Sequence, residues 1–213
     1  NDTLLGDEVN HTNGGDDVLF AGGGNDIADG GKGNDLIFGV SGSNQLFGDY
    51  GFDTIIGGVD NDSIYGGKGN DQLAGGEGED VIQGDSGNDL ISGGDGADLI
   101  YGDEGNDTLF GNSGNDVVIG GQGNDIIFGN EGDDYLDGGY GHDTLIGGTG
   151  NNVFIGSKGS NTFIIKKNIN GIDIINDFNI QNDTLIIETD ALHSLSEAHF
   201  EAYLNGVMVS FKK

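Results

Sequence analysis

From Thr12 to Ile164 one nine-residue phrase recurs seventeen times without a slip in register. Two clean copies are Gly66-Gly67-Lys68-Gly69-Asn70-Asp71-Gln72-Leu73-Ala74 and Gly120-Gly121-Gln122-Gly123-Asn124-Asp125-Ile126-Ile127-Phe128. The pattern is G-G-x-G-x-D-x-U-x, with U apolar. Position one is Gly in 15 of 17 copies, the exceptions being Thr12 and Ala21. Position four is Gly in 16, with Asp60 the exception, and position six is Asp in 14, with Asn44, Asn152 and Asn161 the exceptions. Position eight is apolar in all 17, from Leu19 to Phe163. A fixed period this short means one structural unit stacked on itself.

Each repeat divides by its chemistry. The six residues GGxGxD read as a turn, because Gly accepts positive φ and close backbone approach. The three residues x-U-x read as a minimal strand, with U on one face and its neighbours on the other. Two repeats then make one coil with two turns and two strands, and stacking the coils collects every U in one narrow core. At a strand spacing of about 4.8 Å, seventeen half-coils make a rod roughly 40 Å long. Positions seven and nine face outward, and many are apolar: Val18, Phe20, Leu36, Phe38, Phe47, Phe110 and Phe128. They suit either ordinary β-propensity or a docking face for a neighbouring domain of the same chain.

These repeats resemble the RTX (repeats-in-toxin, hemolysin-type) family, whose nonapeptides bind Ca²⁺. The resemblance implies an all-β fold: a right-handed parallel β-roll with a short β-rich C-terminal cap. On this reading residues 1–165 are the roll and 166–213 the capping segment. Past Ile164 Gly falls away, and Asp173-Ile174-Ile175-Asn176-Asp177-Phe178 and Asp183-Thr184-Leu185-Ile186-Ile187 follow. They look like the segment that closes many RTX rolls, matching it at Asp173, Ile175, Asp177, Phe178, Asp183 and Leu185. Asp177 and Asp183 are read as structural. A cap is expected on physical grounds too, since the end of a solenoid is an open sheet edge. Beyond it the sequence suggests a short helical turn around 194–199, opened by Ser194 and Glu197 as a capping box, then a hairpin turning at Asn205-Gly206.

The net charge is −30, from 37 acidic residues against seven Lys and no Arg. Nucleic acid is thereby excluded as a partner, since the cations that release phosphate counterions are missing. Anionic membrane surfaces are disfavoured, and cations are favoured. There is no Cys, and no apolar run approaches a transmembrane span. No Pro interrupts the backbone pairing. No N-terminal signal peptide is visible, and the chain opens in mid-repeat with Asn1-Asp2-Thr3-Leu4-Leu5, as expected of a fragment of a longer protein. Residues 6–17 read as a turn of double length in which His11 is a surface residue.

Ca²⁺ takes six to eight oxygen ligands. A GGxGxD turn offers bare carbonyls and one carboxylate, so two turns, one full coil apart in sequence, are needed to surround one ion. On one side the turn residues are Asp17, Asp35, Asp53, Asp71, Asp89, Asp107, Asp125 and Asp143, then Asn161. On the other they are Asp26, Asn44, Asp62, Asp80, Asp98, Asp116, Asp134 and Asn152. Pairing consecutive aspartates within each unbroken run gives about eleven sites, with weaker ones where Asn intervenes. Carboxylates about 4–5 Å apart repel by roughly 1–4 kcal/mol per pair. Summed, that exceeds a typical folding stability of about 5–15 kcal/mol, so binding and folding are expected to be one event.

No catalytic constellation emerges: there is no H-E-x-x-H, no G-x-S-x-G and no thiol. His142 takes a turn position usually held by Asn, and His193 and His199 have no metal-like spacing. The aspartates repeat uniformly, whereas an active site is singular. The expectation is a non-catalytic calcium-binding folding, stabilising and secretion module of an exported, extracellular bacterial protein. The resemblance implies type I secretion machinery as a partner. The ending Val209-Ser210-Phe211-Lys212-Lys213 departs from the Asp-plus-hydrophobics tail of the group's exported proteases. The alternative is a polysaccharide-binding accessory module like those of alginate epimerases, disfavoured by the scarcity of cationic residues. An ice-binding solenoid needs a Thr/Asn ladder, but position three holds Lys32, Tyr50, Val59, Glu77 and Tyr140, with Thr149 its one Thr.

Overall fold

The computed structural model describes residues 2–6, 14–166, 171–188, 198–203 and 206–211. Among these the chain is all strand and turn, with no helix. Successive strands alternate between two sheets, one of 13 strands and one of 10. Through the middle of the repeats each strand pairs in parallel with the strands two repeats before and after it, as in Leu73 beside Ile91 and Ile91 beside Leu109. Nine-residue periodicity thus becomes a two-repeat coil with no drift, because any slip would turn an apolar row outward.

The core is the column foreseen at position eight. All seventeen side chains, Leu19 through Phe163, are buried, and most are wholly excluded from solvent. Ile165 and Ile175 extend the column, and Leu4, Phe178, Leu185 and Ile187 pack against it. Positions seven and nine face outward, where rings stack along the coil axis: Phe20 on Phe38 at 4.8 Å, Phe47 on Tyr65 at 5.0 Å and Phe110 on Phe128 at 4.7 Å.

Two expectations about local structure are corrected. The strands extend well beyond x-U-x, and the turns between them are correspondingly short. Gln72–Glu77 is one strand, Gly78-Glu79-Asp80 the turn, and Val81–Ser86 the next strand. The ladder is built from backbone groups, so it runs on into positions two and three of the next repeat. It lapses at position one, where Gly75 and Gly93 drop out of the pairing between Gln72–Glu77 and Leu90–Asp95. The second correction concerns the C-terminal region. Ala198–Tyr203 and Gly206–Phe211 form the expected hairpin, but Gly206 is paired with Tyr203 in the ladder and is not a turn residue. His199 belongs to this hairpin and not to a helical turn. The remainder of that helix, residues 194–197, lies outside the described residues, as do His11, His193 and the terminal Lys212-Lys213.

The last coil meets two different closures. Thr184–Glu188 continues one sheet in parallel beside Thr162–Lys166. Ile172–Ile175 continues the other beside Val153–Ile155 and then pairs antiparallel with Gly206–Phe211. At the opposite end Leu4 sits beside Ala28, a wider offset than the two repeats that separate partners within the roll, in keeping with the long connection expected over residues 6–17.

Candidate metal centre

The turn aspartates stand in two columns, one along each edge of the roll. From Asp26 to Asp143 all of those on the candidate roster, Asp35, Asp53, Asp62, Asp71, Asp80, Asp89, Asp98, Asp107, Asp116, Asp125 and Asp134 among them, are buried to 2 % exposure or less. Asp17, at the N-terminal end, is half-buried.

Each carboxylate has its two oxygens in different circumstances. Oδ1 accepts the backbone N–H of the turn aspartate one coil earlier: Asp53 N–H to Asp71 Oδ1 at 2.8 Å, Asp71 to Asp89 at 2.8 Å, Asp89 to Asp107 at 2.8 Å. The second column is wired alike, with Asp62 N–H to Asp80 Oδ1 at 2.8 Å and Asp80 to Asp98 at 2.9 Å. Oδ2 is the reverse case. In eleven consecutive turns, from Asp53 to Asp143, it is buried with no hydrogen-bond partner. A buried, unpaired carboxylate oxygen is costly, and a native fold that repeats it eleven times has something else for it to meet.

The space beside Oδ2 is kept open by the position-one glycine. A Cβ built on Gly48 would lie 2.5 Å from Asp53 Oδ2 and 2.5 Å from the Gly66 carbonyl oxygen of the next coil. On Gly66 it would lie 2.7 Å from Asp71 Oδ2 and 2.9 Å from Gly84 O, and on Gly120 2.5 Å from Asp125 Oδ2 and 2.6 Å from Gly138 O. Ten consecutive turns, from Gly48 to Gly129, bring together their own carboxylate and the next coil's carbonyl in this way. Two adjacent turns thus frame one oxygen-lined cradle. At position four space is tighter still, a Cβ on Gly69 lying 1.4 Å from the Gly51 carbonyl oxygen of the preceding coil, and positions two and four have a conformational reason for glycine as well. They take positive φ, as at Gly67 (101°) and Gly69 (147°), and where another residue stands at position two it is mostly Asp or Asn, such as Asp85 (69°) and Asn112 (78°).

The electrostatics differ in emphasis from the sequence argument. Burial is the first cause of the raised carboxyl pKa values, pushing Asp89, Asp98, Asp125 and Asp134 up to about 7 and Asp53, Asp62 and Asp107 to about 6. The N–H bond from the preceding coil pulls the other way, and neighbouring carboxylates add a smaller rise. Desolvation, more than mutual repulsion, makes an ionised turn without a counter-cation expensive. No three His, Cys, Asp or Glu side chains converge as a metal site among the described residues. The donors in reach are therefore one carboxylate oxygen and backbone carbonyls, a hard all-oxygen set that suits Ca²⁺ and not a soft transition metal.

Three features escaped the sequence. The Oδ1 ladder links successive coils, and nothing in a residue pattern reveals it. Position five forms a second, exposed ladder, with Asn106 N–H to Asn88 Oδ1 and Asn124 N–H to Asn106 Oδ1, both 2.7 Å. His142 is a rung of it: its N–H reaches Asn124 Oδ1, and its Nδ1 accepts the Ser160 N–H at 3.0 Å. The columns also continue beyond the repeats. Asp173 Oδ1 accepts the Asn152 N–H, and Asp183 Oδ1 accepts the Asn161 N–H. Asp183 Oδ2 takes the Asn179 N–H, while both oxygens of Asp177 are held by the N–H groups of Gly156 and Ser157. The spacing is wider there than two repeats, which hides the continuity from a period of nine.

A search of the curated proteins returns no match to the chain. The family model for the RTX calcium-binding nonapeptide repeat matches residues 11–46, 38–73, 47–82, 74–109, 110–145 and 137–164. Proteins of that family bind multiple Ca²⁺ ions. Two stacked parallel sheets, cradles lined by oxygen and a model match running from residue 11 to 164 converge on one assignment: the chain belongs to the RTX calcium-binding nonapeptide repeat family.

Proposed function

We propose that this is a non-catalytic module that folds when about eleven Ca²⁺ lodge between its stacked turns, with the fourteen turn aspartates from Asp17 to Asp143 as the carboxylate ligands. The observation that carries the reading is the row of buried Oδ2 atoms without a hydrogen-bond partner, ten of the eleven beside a carbonyl of the next coil. Calcium would supply the positive charge those oxygens lack, and eleven ions would bring the net charge from −30 to about −8. The chain's own part is to align carbonyls and carboxylates at fixed spacing, exclude water from Oδ2 and exclude side chains through glycine. Residues 166–213 are proposed as the segment that caps the roll.

The proposal extends to export. A chain with this charge and this much glycine stays expanded in calcium-poor cytosol, where it threads a type I channel, and compacts in millimolar calcium outside. The partly exposed aromatic rows remain proposed as a docking face for a neighbouring domain of the same protein. Equilibrium dialysis against radioactive calcium tests the stoichiometry: about eleven ions per chain are expected, and one or two would contradict the reading.

A further inference from the structure

The turns in which asparagine replaces aspartate are built differently from the rest. Backbone donors fix which way each amide points. Asp26 N–H meets Asn44 Oδ1, Asp134 N–H meets Asn152 Oδ1 and Asp143 N–H meets Asn161 Oδ1, each at 3.0 Å. The amide nitrogen therefore stands where an aspartate turn puts Oδ2. There it donates: Asn44 Nδ2 to Gly42 O at 2.7 Å, Asn152 Nδ2 to Asp173 Oδ1 at 3.1 Å and Asn161 Nδ2 to Gly156 O at 2.8 Å. An amide NH₂ donates only, so it cannot ligate a cation. At Asn161 it also takes up the position-one carbonyl that other turns leave facing the cradle.

A second observation is independent of the amides. A Cβ on Gly147 would lie 2.5 Å from Asn152 Nδ2 and 2.7 Å from Phe154 Cζ. On Gly156 it would lie 2.6 Å from Asn161 Nδ2 and 2.7 Å from Phe163 Cζ. In the ordinary turn of Gly120 the same point meets a carboxylate and a carbonyl oxygen. Phe154 and Phe163 are the two aromatic residues among the seventeen at position eight, and they fall in the one coil whose two turns are both Asn. Their rings meet edge to face at 6.2 Å, and Phe163 continues to Phe178 at 5.9 Å.

We propose that the coil from Gly147 to Ile164 takes no metal: amide and phenyl fill its cradles, ending the ion ladder and joining it to the closing strands through contacts that need no calcium. The inference rests on the calcium reading of the aspartate turns. Native mass spectrometry of the 213-residue chain in saturating calcium tests both and separates them. Asp98→Asn is expected to lose at least one ion relative to the wild type, Asn161→Ala to lose none, and Asn152→Asp with Phe154→Leu to gain one. Loss of an ion in Asn161→Ala, or an unchanged count in the double variant, overturns the inference while leaving the calcium reading standing. A wild type that binds no calcium sinks the calcium reading itself. Should Asn161→Ala fail to fold, the gain expected in the double variant decides alone.

Discussion

Glycine at position one is a matter of space, at position two a matter of φ, and at position four of both. The distinction is testable at single residues. Gly120→Ala places a methyl between Asp125 Oδ2 and Gly138 O. It is expected to remove that turn's ion and destabilise the calcium-loaded protein by about 1–3 kcal/mol, as overpacking does. Gln122→Ala, exposed on the same strand, should stay within about 0.5 kcal/mol of the wild type; thermal melts in calcium compare them. Val40 is the opposite case, a β-branched residue at φ 78° and half exposed. Its left-handed backbone is strained, so Val40→Gly should raise stability by about 0.5–1 kcal/mol. Asp173 is a third. Burial raises its carboxyl to about 6, against the two hydrogen bonds from Asn152. A raised Asp pKa costs stability once the group ionises, fully above about 6 and not at all below the ordinary value of 3.8. Asp173→Asn should therefore stabilise the protein at pH 7 by about 1–2 kcal/mol. The gap between the two proteins should close as pH falls from 6 toward 4, read from paired melts.

At the scale of the half-coil, what was legible was whatever side chains enforce. Position eight is apolar in every copy because each such side chain is sealed between two sheets. With the glycine turns and the aspartate at position six, that gave the core, the two-repeat coil and the two aspartate columns. Strand length was not legible, because hydrogen bonding through Gly-Gly-x leaves no trace in a side-chain pattern. The continuation of the columns into Asp173 and Asp183 was hidden by a change of period, although the Asp-led apolar runs marked the right segments. The helical turn drawn over 194–199 fails at Ala198 and His199 because cross-strand pairing overrode a local capping signal. A mid-roll core truncation tests the element itself. Ile100→Ala leaves a cavity in a column one side chain wide, with Val118 and Ile82 as its neighbours along the sheet. It is expected to cost about 2–5 kcal/mol in calcium without changing the number of ions bound to the folded protein.

For the whole molecule, charge and glycine content set the behaviour. Forty-five glycines make ordering expensive, and a net charge of −30 resists compaction. The core is continuous but thin, and every turn from Asp53 to Asp143 buries a carboxylate oxygen that no protein group satisfies. On the proposed function such a fold is expected to hold when cations occupy its edges and to come apart when they leave. Far-UV circular dichroism with calcium supplied and then stripped by excess EGTA reads this directly. The account predicts a β-rich spectrum in millimolar calcium, a largely disordered one in EGTA, and full recovery on adding calcium back. An undiminished β spectrum in excess EGTA would contradict it.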